Sequence, residues 1–238
     1  MHSLTVMMPA LNEEATVAAT AAGVLAVFDR GGVDGELILV DDGSTDDTRA
    51  RMQAVAVQDN RVRLIAHDRR RGIGYSFREV LGTATKEAIT WFPADGENTP
   101  DDLVRYLPLL EHVDIIVPFA VNCGVRSFFR RVLSSTFLVM INLSFGMHLN
   151  YTNGNVIYRR RVFDGVTLRS NGFFFQTEAL ITAIRLQRGV HCEVPIHLTS
   201  RRGGASKAVS LRSLLEVSRD YLRLVWLIHL RPLFLGAA

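Results

Sequence analysis

Residues 36–47 read Glu-Leu-Ile-Leu-Val-Asp-Asp-Gly-Ser-Thr-Asp-Asp, an apolar run that ends abruptly in a polar turn. Glu36–Val40 has the length and the apolar content of a buried strand. Gly43 keeps the turn open, and the Ser-Thr pair after it consists of helix-capping residue types. Capping does not account for two adjacent acids, Asp41 and Asp42, at the end of an apolar strand. We therefore interpret this pair as ligand-binding.

A strand followed by a helix recurs along the chain on both sides of this stretch. The predicted strands are Leu4–Met8, Glu36–Val40, Val62–Ala66, Ala88–Phe92, Val113–Pro118, Asn155–Tyr158 and Val190–Pro195. The predicted helices are Asn12–Arg30, Thr45–Val57, Arg71–Thr85, Pro100–Leu110, Asn171–Gln187 and Ser210–Ile228. This alternation predicts an α/β fold with a central, mainly parallel sheet flanked by helices. Ligands bind such sheets beyond the carboxyl ends of the strands, where the polar clusters of this chain gather.

The composition indicates a folded protein from a reducing compartment. The 238 residues are 48% hydrophobic and 21% charged, which excludes a disordered or low-complexity chain. Cys123 and Cys192 have no CxxC or Cys/His ligand spacing, so we expect neither a disulfide scaffold nor a structural zinc site. The N-terminus lacks a basic segment followed by a long apolar run, so we expect no signal peptide and a cytoplasmic location.

The charge is distributed unevenly along the chain. Residues 1–119 contain 11 basic and 19 acidic side chains, whereas residues 120–238 contain 16 basic and 5 acidic ones. We expect the second half to meet an anionic partner such as a membrane surface or a phosphate, with a solvated basic surface as the alternative. No nucleic-acid module is recognisable, so nucleic acid is not an expected partner.

An uncharged stretch of 18 residues, Val132–Leu149, follows Arg126, Arg130 and Arg131. Its length is at the lower bound for a membrane span, and its Ser, Asn and His residues lower its hydrophobicity. We favour an amphipathic helix lying on a membrane over a buried core helix, and both over a span. The apolar C-terminal segment is interrupted by charge, so we expect a peripheral protein or one with a membrane-protein partner.

Five segments carry polar side chains in positions suited to chemistry. They are Pro9–Glu13, Val40–Asp46, Asp95–Glu97, Ser170–Glu178 and Arg201–Lys207. In this order they resemble the family 2 glycosyltransferases of the GT-A fold, and most of all the polyprenyl-phosphate sugar transferases, such as dolichol-phosphate mannose synthase. The resemblance runs from about Leu4 to Lys207. It implies a Rossmann-like GT-A domain over residues 1–207, with an interfacial helix at about 126–149, and a C-terminal amphipathic helix and tail over 208–238.

The resemblance implies that the chain binds a nucleotide-sugar donor such as a UDP- or GDP-sugar. A carboxylate after an early strand can accept hydrogen bonds from the base or ribose, and the resemblance gives that task to Glu13, Asp41 and Asp42. The other donor-binding residues that it implies are Pro9, Leu11, Arg71, Asp95 and Lys207. A basic helix start is the alternative for the stretch around Arg71, where a GxGxxG dinucleotide motif does not fit.

The resemblance also implies a divalent metal, Mg²⁺ or Mn²⁺, that acts as a Lewis acid on the leaving diphosphate. In this chain Pro93 stands where the family has its first acid, Asp95 matches the second, and Glu97 falls on a later polar position. We expect Asp95 to bind the metal with help from Glu97. The alternative is a turn capped by Asp without a metal.

A lipid phosphate is the acceptor that the resemblance implies, and arginine side chains suit phosphate oxygens. The acceptor-binding residues that match the family are Arg130, Arg131, Ser134, Gln176 and Ser206. The residues implied as catalytic are Asp95, Glu178 and Arg201, the last in a loop over the diphosphate. The family's Gly-Ser-Arg after the fifth strand is replaced by Pro118-Phe119-Ala120, and Arg126 is the candidate substitute for the missing arginine.

The expected reaction is a single displacement with inversion at the anomeric carbon. A phosphate acceptor is already ionised at neutral pH, so it needs no strong general base. A hydroxyl acceptor of a glycan or small molecule would need one, and Glu178 or Asp95 is then the candidate. Two further functions stay open, an inactive nucleotide-sugar-binding module and a dinucleotide-dependent oxidoreductase.

Overall fold

The computed structural model describes residues 2–96, 98–122, 128–152, 154–197 and 211–230. The strands are β1 (Ser3–Ala10), β2 (Asp34–Asp41), β3 (Val62–Ala66), β4 (Ala88–Trp91), β5 (Ile115–Ala120), β6 (Ile157–Arg159) and β7 (His191–Ile196). The helices are α1 (Val17–Gly31), α2 (Thr48–Gln58), α3 (Ile73–Thr83), α4 (Asp102–Arg105), α5 (Phe128–Phe145), α6 (Phe175–Arg185) and α7 (Leu211–Val225). A π-helical turn over Trp226–Leu230 continues α7, and 3₁₀ turns lie at Leu107–Glu111 and Arg160–Phe163.

The seven strands form one sheet in the order β3-β2-β1-β4-β6-β5-β7. β6 is antiparallel to its neighbours β4 and β5, and the other neighbouring pairs are parallel. The prediction of a mainly parallel sheet is therefore confirmed. β1 and β2 pair along their whole length, up to Ala10 opposite Asp41, so the polar turns that follow them start side by side.

Helices cover both faces of the sheet. Met7 and Ile38 belong to a core that they share with α3, α5, α6 and α7, whereas Val6 and Leu37 belong to the core under α1, α2 and α4. Side chains alternate between the two faces along a strand, so a strand buried on both faces reads as a continuous apolar run. This is why the apolar runs alone predicted the strands.

The observed helices differ in extent from the predicted ones: α6 begins at Phe175 rather than at Asn171, and two other helices differ for reasons that the structure shows. α1 begins at Val17 rather than at Asn12, because Asn12 has a left-handed φ of 58°, which a right-handed helix excludes. The helix predicted over Pro100–Leu110 is divided into α4 and a 3₁₀ turn. Pro108 explains the division, since a proline has no backbone N–H to donate and disfavours α-helical geometry in the residue before it.

The uncharged stretch forms α5, which ends at Phe145 rather than at Leu149. The side-chain amide of Asn142 bonds both backbone groups of Leu149: its Nδ2 donates to the carbonyl O at 2.8 Å, and its Oδ1 accepts from the backbone N at 3.1 Å. Gly146 follows in the left-handed conformation, with φ of 59°. The chain therefore leaves the helix one turn earlier than the apolar pattern predicts.

One side of α5 is in the core and the other faces solvent. Ile141 and Phe145 are fully buried, whereas Val139 and Leu143 are exposed. The helix thus combines the first two interpretations of the sequence, a core helix and an amphipathic one. Among the residues that the structure describes, no helix has both the length and the apolar character needed to cross a bilayer.

Candidate functional site

The turns after β1 and β2 are joined by hydrogen bonds in both directions. The backbone N of Asn12 donates to Ser44 Oγ at 3.0 Å, and the backbone N of Thr45 donates to Asn12 Oδ1 at 2.9 Å. The backbone N of Glu13 donates to Thr48 Oγ1 at 2.8 Å. Two of the segments singled out in the sequence therefore meet at the carboxyl edge of the sheet, and Asn12 connects them.

Asp41 is fully buried, and both of its carboxylate oxygens have partners within the protein. Oδ1 accepts from the backbone N of Ser44 at 3.0 Å, and Oδ2 accepts from Arg49 Nε at 2.7 Å. Burial opposes ionisation of Asp41, but the hydrogen bonds from Ser44 and Arg49 outweigh burial and lower the pKa of Asp41. These contacts fix the shape of the turn. The predicted donor contact of Asp41 stays a prediction.

Asp42 connects the same turn to the basic loop that precedes α3. Its Oδ1 accepts from the backbone N of Arg71 at 2.7 Å, and its Oδ2 accepts from the backbone N of Gly72 at 2.9 Å. His67 Nδ1 lies 3.0 Å from Oδ1. An ionised carboxylate has about four lone-pair positions, so one position on Oδ2 is left for a ligand.

The close approach of the two loops depends on Gly43. It has φ of 81°, and a Cβ atom there would lie 2.7 Å from backbone atoms of Arg69 and Arg70. Arg71, which follows them, is exposed, and its Nη1 donates to Tyr75 Oη at 2.8 Å. The predicted donor residue Arg71 is thus at the rim of the carboxyl edge, next to Asp42.

The start of α3 is bonded to the segment before α6. The backbone N of Gly74 donates to the carbonyl O of Asn171 at 2.8 Å, and Arg78 Nη1 donates to the carbonyl O of Ser170 at 2.7 Å. Glu178 is buried, and its Oε2 accepts from the backbone N of Ser170 at 2.8 Å and from that of Arg169 at 3.0 Å. The Glu178 carboxylate therefore shapes this segment.

Buried polar atoms without a partner lie in the same region. Within the described ranges, Ser170 Oγ and Gln176 Oε1 are buried and have no hydrogen-bond partner. A buried acceptor without a partner is costly, and water or a ligand usually completes it. Gln176 Oε1 can only accept a hydrogen bond, so the predicted contact of Gln176 with a phosphate acceptor stays a prediction.

The turn that carries Asp95 lies on the start of α1. The hydroxyl of Thr20 donates to the carbonyl O of Ala94 at 3.4 Å, and a Cβ atom on Gly96 would lie 3.5 Å from Thr16 Cγ2. Thr16 Oγ1 is also 3.5 Å from a carboxylate oxygen of Glu13. The Asp95 turn and Glu13 therefore share Thr16 as a neighbour, and the acidic segments after β1, β2 and β4 lie along one edge.

The described residues contain no group of three or more His, Cys, Asp or Glu side chains arranged for a metal, and Glu97 lies outside them. Magnesium commonly binds one or two carboxylates together with substrate phosphates. A half-buried Asp95 at the carboxyl edge fits that mode, in which the donor diphosphate completes the coordination.

For some of the other predicted site residues we give only the place in the fold, and the rest lie outside the described residues. Pro9 lies in β1 opposite Val40, Leu11 is half-buried just beyond β1, and Arg131 and Ser134 lie on α5, where Arg131 is exposed. The Arg130 side chain, Arg126, Arg201, Ser206 and Lys207 lie outside the described residues. Their predicted roles stay predictions.

Three residues that support the site were missed by the sequence analysis: Asn12, Arg49 and His67. Asn12 adopts a φ of 58°, and Arg49 and His67 bond Asp41 and Asp42. His67 directly follows β3, and this position at a strand end is the signal from which it could have been found.

Comparison with known proteins agrees with the resemblance seen in the sequence. The family model described as glycosyl transferase family 2 matches residues 5–171. Polyprenol monophosphomannose synthase of Mycolicibacterium smegmatis is 30% identical over 187 residues, which cover 72% of this chain and 69% of that protein. Undecaprenyl-phosphate 4-deoxy-4-formamido-L-arabinose transferase of Aeromonas hydrophila is 26% identical over 166 residues, or 68% of this chain. The chain spans about half the length of that relative, 51%.

Solved structures support the fold. Glucosyl-3-phosphoglycerate synthase from Mycobacterium tuberculosis, in complex with Mn²⁺, UDP-glucose and phosphoglyceric acid, superimposes with a TM-score of 0.73. The match is 20% identical and covers 94% of this chain and 80% of that one. The GT-A architecture expected from the sequence is thereby confirmed.

Proposed function

This chain belongs to glycosyl transferase family 2, and on that basis we propose that it transfers a sugar, with inversion, from a nucleotide-diphosphate sugar to a polyprenyl phosphate at the cytoplasmic face of a membrane. The observation that carries the proposal is the convergence of three acidic turns, those of Glu13, Asp42 and Asp95, along one carboxyl edge. The relatives named for undecaprenyl-phosphate and polyprenol substrates support the choice of acceptor.

The donor is proposed to bind between Glu13, Asp42 and Arg71. The remaining lone-pair position on Asp42 Oδ2 suits a base or ribose donor group, and exposed Arg71 suits a phosphate oxygen. A thermal-shift screen of UDP-, GDP- and dTDP-sugars with and without Mn²⁺ tests this site. One donor is expected to raise the melting temperature, because a ligand that binds the folded state stabilises it by mass action. No shift with any donor would contradict the proposal.

A divalent ion is proposed to accompany the donor, with Asp95 and Glu97 as its protein ligands. When bound, such an ion supplies charge neutralisation for the departing diphosphate. The solved relative crystallised with Mn²⁺ and UDP-glucose supports this part of the proposal. Asp95→Asn is expected to abolish the additional stabilisation that Mn²⁺ gives to the donor complex, while Asp101→Asn, an exposed control, should leave it unchanged.

The observed hydrogen bonds of Glu178 give its carboxylate a structural role. It accepts the backbone N–H groups of Arg169 and Ser170 and thereby shapes the segment before α6. A phosphate acceptor is already ionised and needs no general base from Glu178. Glu178→Gln is therefore expected to keep measurable transfer to polyprenyl phosphate. Loss of nearly all turnover with normal donor binding and normal folding stability would favour a hydroxyl acceptor.

A membrane surface is proposed to meet the outer side of α5 and α7. The two helices contact each other, with Ser144 Oγ 2.6 Å from Tyr221 Oη. Both leave large apolar side chains exposed, and we call this surface the paired-helix face: Val139, Leu143, Leu215, Leu222 and Trp226. Leu143 is 80% exposed and Leu222 64%. Several large apolar side chains exposed on two neighbouring helices are typical of an interaction site.

The arginine side chains of α7 favour an anionic membrane as the proposed partner of the paired-helix face. Arg219 and Arg223 are on α7, and both pair with buried Asp220 while remaining partly exposed. Arginine side chains beside exposed Leu and Trp side chains suit the headgroup region of an anionic bilayer. An exposed helical face of this composition supports peripheral binding.

Sedimentation with anionic and neutral vesicles at low salt tests this binding. The protein is expected to sediment with the anionic vesicles, and Leu222→Glu is expected to weaken binding at least tenfold through lost apolar contact and added repulsion. Val57→Glu is the matched control, since Val57 is exposed on α2, on the opposite face of the sheet. A protein that stays in the supernatant with every vesicle would refute the membrane proposal, and transfer to a lipid phosphate would exclude an inactive binding module.

A further inference from the structure

His67 lies between two carboxylates at the end of β3. Its Nδ1 is 3.0 Å from Asp42 Oδ1, and its Nε2 is 2.8 Å from Glu79 Oε2. The His67 side chain is only 5% exposed. Asp42 belongs to the turn after β2 and Glu79 to α3, so the imidazole connects the two elements that border the proposed donor site.

The two contacts define the protonation state of the ring. An ionised carboxylate only accepts hydrogen bonds, and a neutral imidazole has only one N–H to donate. Both contacts are satisfied together when His67 is an imidazolium. Burial of His67 opposes this charge, but the hydrogen bonds that its ring donates to Glu79 and Asp42 outweigh burial and raise the pKa of His67 above its usual 6.5.

We infer that protonated His67 is a positioning residue for donor binding, which fixes the Asp42 carboxylate and, through it, the backbone of Arg71 and Gly72. The inference rests on the proposed function, because it concerns the same donor site. His67 does not itself touch the donor in this scheme. It holds Oδ1 of Asp42, so that Oδ2 keeps the backbone N–H of Gly72 and its one remaining lone-pair position.

The other groups around His67 are consistent with a fixed cation. The Tyr75 ring and the imidazole pack edge to face, with 5.5 Å between centroids and 79° between the ring planes. Arg71 stacks on Tyr75, with 4.8 Å between its Cζ and the ring centroid. Arg49 Nη2 donates to the backbone carbonyl of His67, and its Nε pairs with Asp41. Both arginines are thus directed at other partners, and the two facing carboxylates set the charge of the ring.

Deprotonation of His67 would break this arrangement. The neutral ring keeps one N–H, so either Asp42 or Glu79 would face a nitrogen lone pair and be repelled. The positioning effect is therefore complete below the usual pKa of 6.5 and is lost as the pH rises through the raised pKa of His67. Donor binding is expected to weaken over that alkaline interval, while the chemical step is not directly affected.

The donor KM and kcat, measured against pH, test the inference. The wild-type KM is expected to rise on the alkaline side with kcat little changed. Glu79→Gln keeps a hydrogen-bond acceptor but removes a charge, so the rise in KM is expected to move to lower pH while the acidic plateau stays the same. His67→Phe is expected to raise KM about tenfold and to remove this pH dependence. Glu111→Gln, an exposed change in a 3₁₀ turn, should alter none of these values.

Titration of the His67 ring nitrogens by NMR makes failure of the inference distinguishable from failure of the proposed function. A ring pKa that Glu79→Gln does not lower would overturn the inference, whether or not sugar is transferred. The inference would also be overturned if the wild type and Glu79→Gln had equal donor KM values at every pH. A different result would refute only the proposed function: the ring titrates as expected and Glu79→Gln lowers UDP affinity at alkaline pH, but no sugar is transferred to any acceptor. The inference about the nucleotide site would then stand.

Discussion

The carboxyl edge and the paired-helix face are built in opposite ways. At the carboxyl edge, buried carboxylates are bonded to backbone N–H groups and to His67 and Arg49, and these contacts within the protein fix the shape of the loops. On the paired-helix face, apolar side chains such as Leu143 and Leu222 are exposed to solvent. We therefore expect changes at the carboxyl edge to act on stability and on the proposed donor binding together, and changes on the paired-helix face to act on the proposed membrane binding alone.

The largest effect is expected from Asp42→Ala. The change leaves the backbone N–H groups of Arg71 and Gly72 and the ring of His67 without their acceptor. Loss of one partner from buried charged hydrogen bonds costs about 3 kcal/mol of unfolding free energy. Urea denaturation checks the value, and Asp47→Ala in the same turn, where the side chain is exposed, is expected to change it by less than about 0.5 kcal/mol. Equal losses of unfolding free energy for Asp42→Ala and Asp47→Ala would contradict the role given to the buried carboxylate.

Two glycines of α3 give a matched pair of smaller effects. A Cβ atom on Gly74 would lie 2.1 Å from the carbonyl O of Ser170, which is backbone and cannot easily move. Gly74→Ala is therefore expected to destabilise the protein by about 2 kcal/mol. Nothing lies within 4 Å of a Cβ atom on Gly82 in the same helix, so Gly82→Ala is expected to stabilise by about 0.5–1 kcal/mol. Thermal unfolding of both variants checks the opposite signs.

The sequence predicted what local pattern determines and missed what distant contacts determine. Strands such as β1 and β2 were recognisable because they are apolar on both faces. Their polar turns could be placed at one edge because strands that alternate with helices form a parallel sheet, whose carboxyl ends lie together. The partners of Asp42 come from loops 25 and more residues away, so no local pattern reveals them. The end of α5 depends on one amide, that of Asn142, which hydropathy does not register.

Arg49→Gln tests the electrostatics of the buried turn. The folded-state pKa of Asp41 is lowered, so this carboxylate contributes stability above its usual pKa of 3.8 and loses it as the pH falls through the lowered value. The change is expected to cost about 1–2 kcal/mol at neutral pH, since Arg49 is partly exposed. The difference in unfolding free energy between Arg49→Gln and the wild type should shrink below about pH 4. Urea denaturation at several pH values measures it, with exposed Arg51→Gln as the control. A difference that stays constant down to acidic pH would contradict the role given to Arg49.

The smallest effect is expected on the paired-helix face, and it sharpens the contrast most directly. Leu222 and Leu224 are two positions apart on α7, but Leu222 is largely exposed and Leu224 is buried against the core. Leu222→Ala is expected to change the unfolding free energy by less than about 0.5 kcal/mol, and Leu224→Ala to lower it by about 2–3 kcal/mol. Urea denaturation without lipid measures both. A large loss of stability for Leu222→Ala would mean that this side chain stabilises the fold, and its exposure on the paired-helix face would then no longer favour a partner. If the loss is as small as expected, weaker vesicle binding by Leu222 variants is explained by lost contact with the proposed membrane.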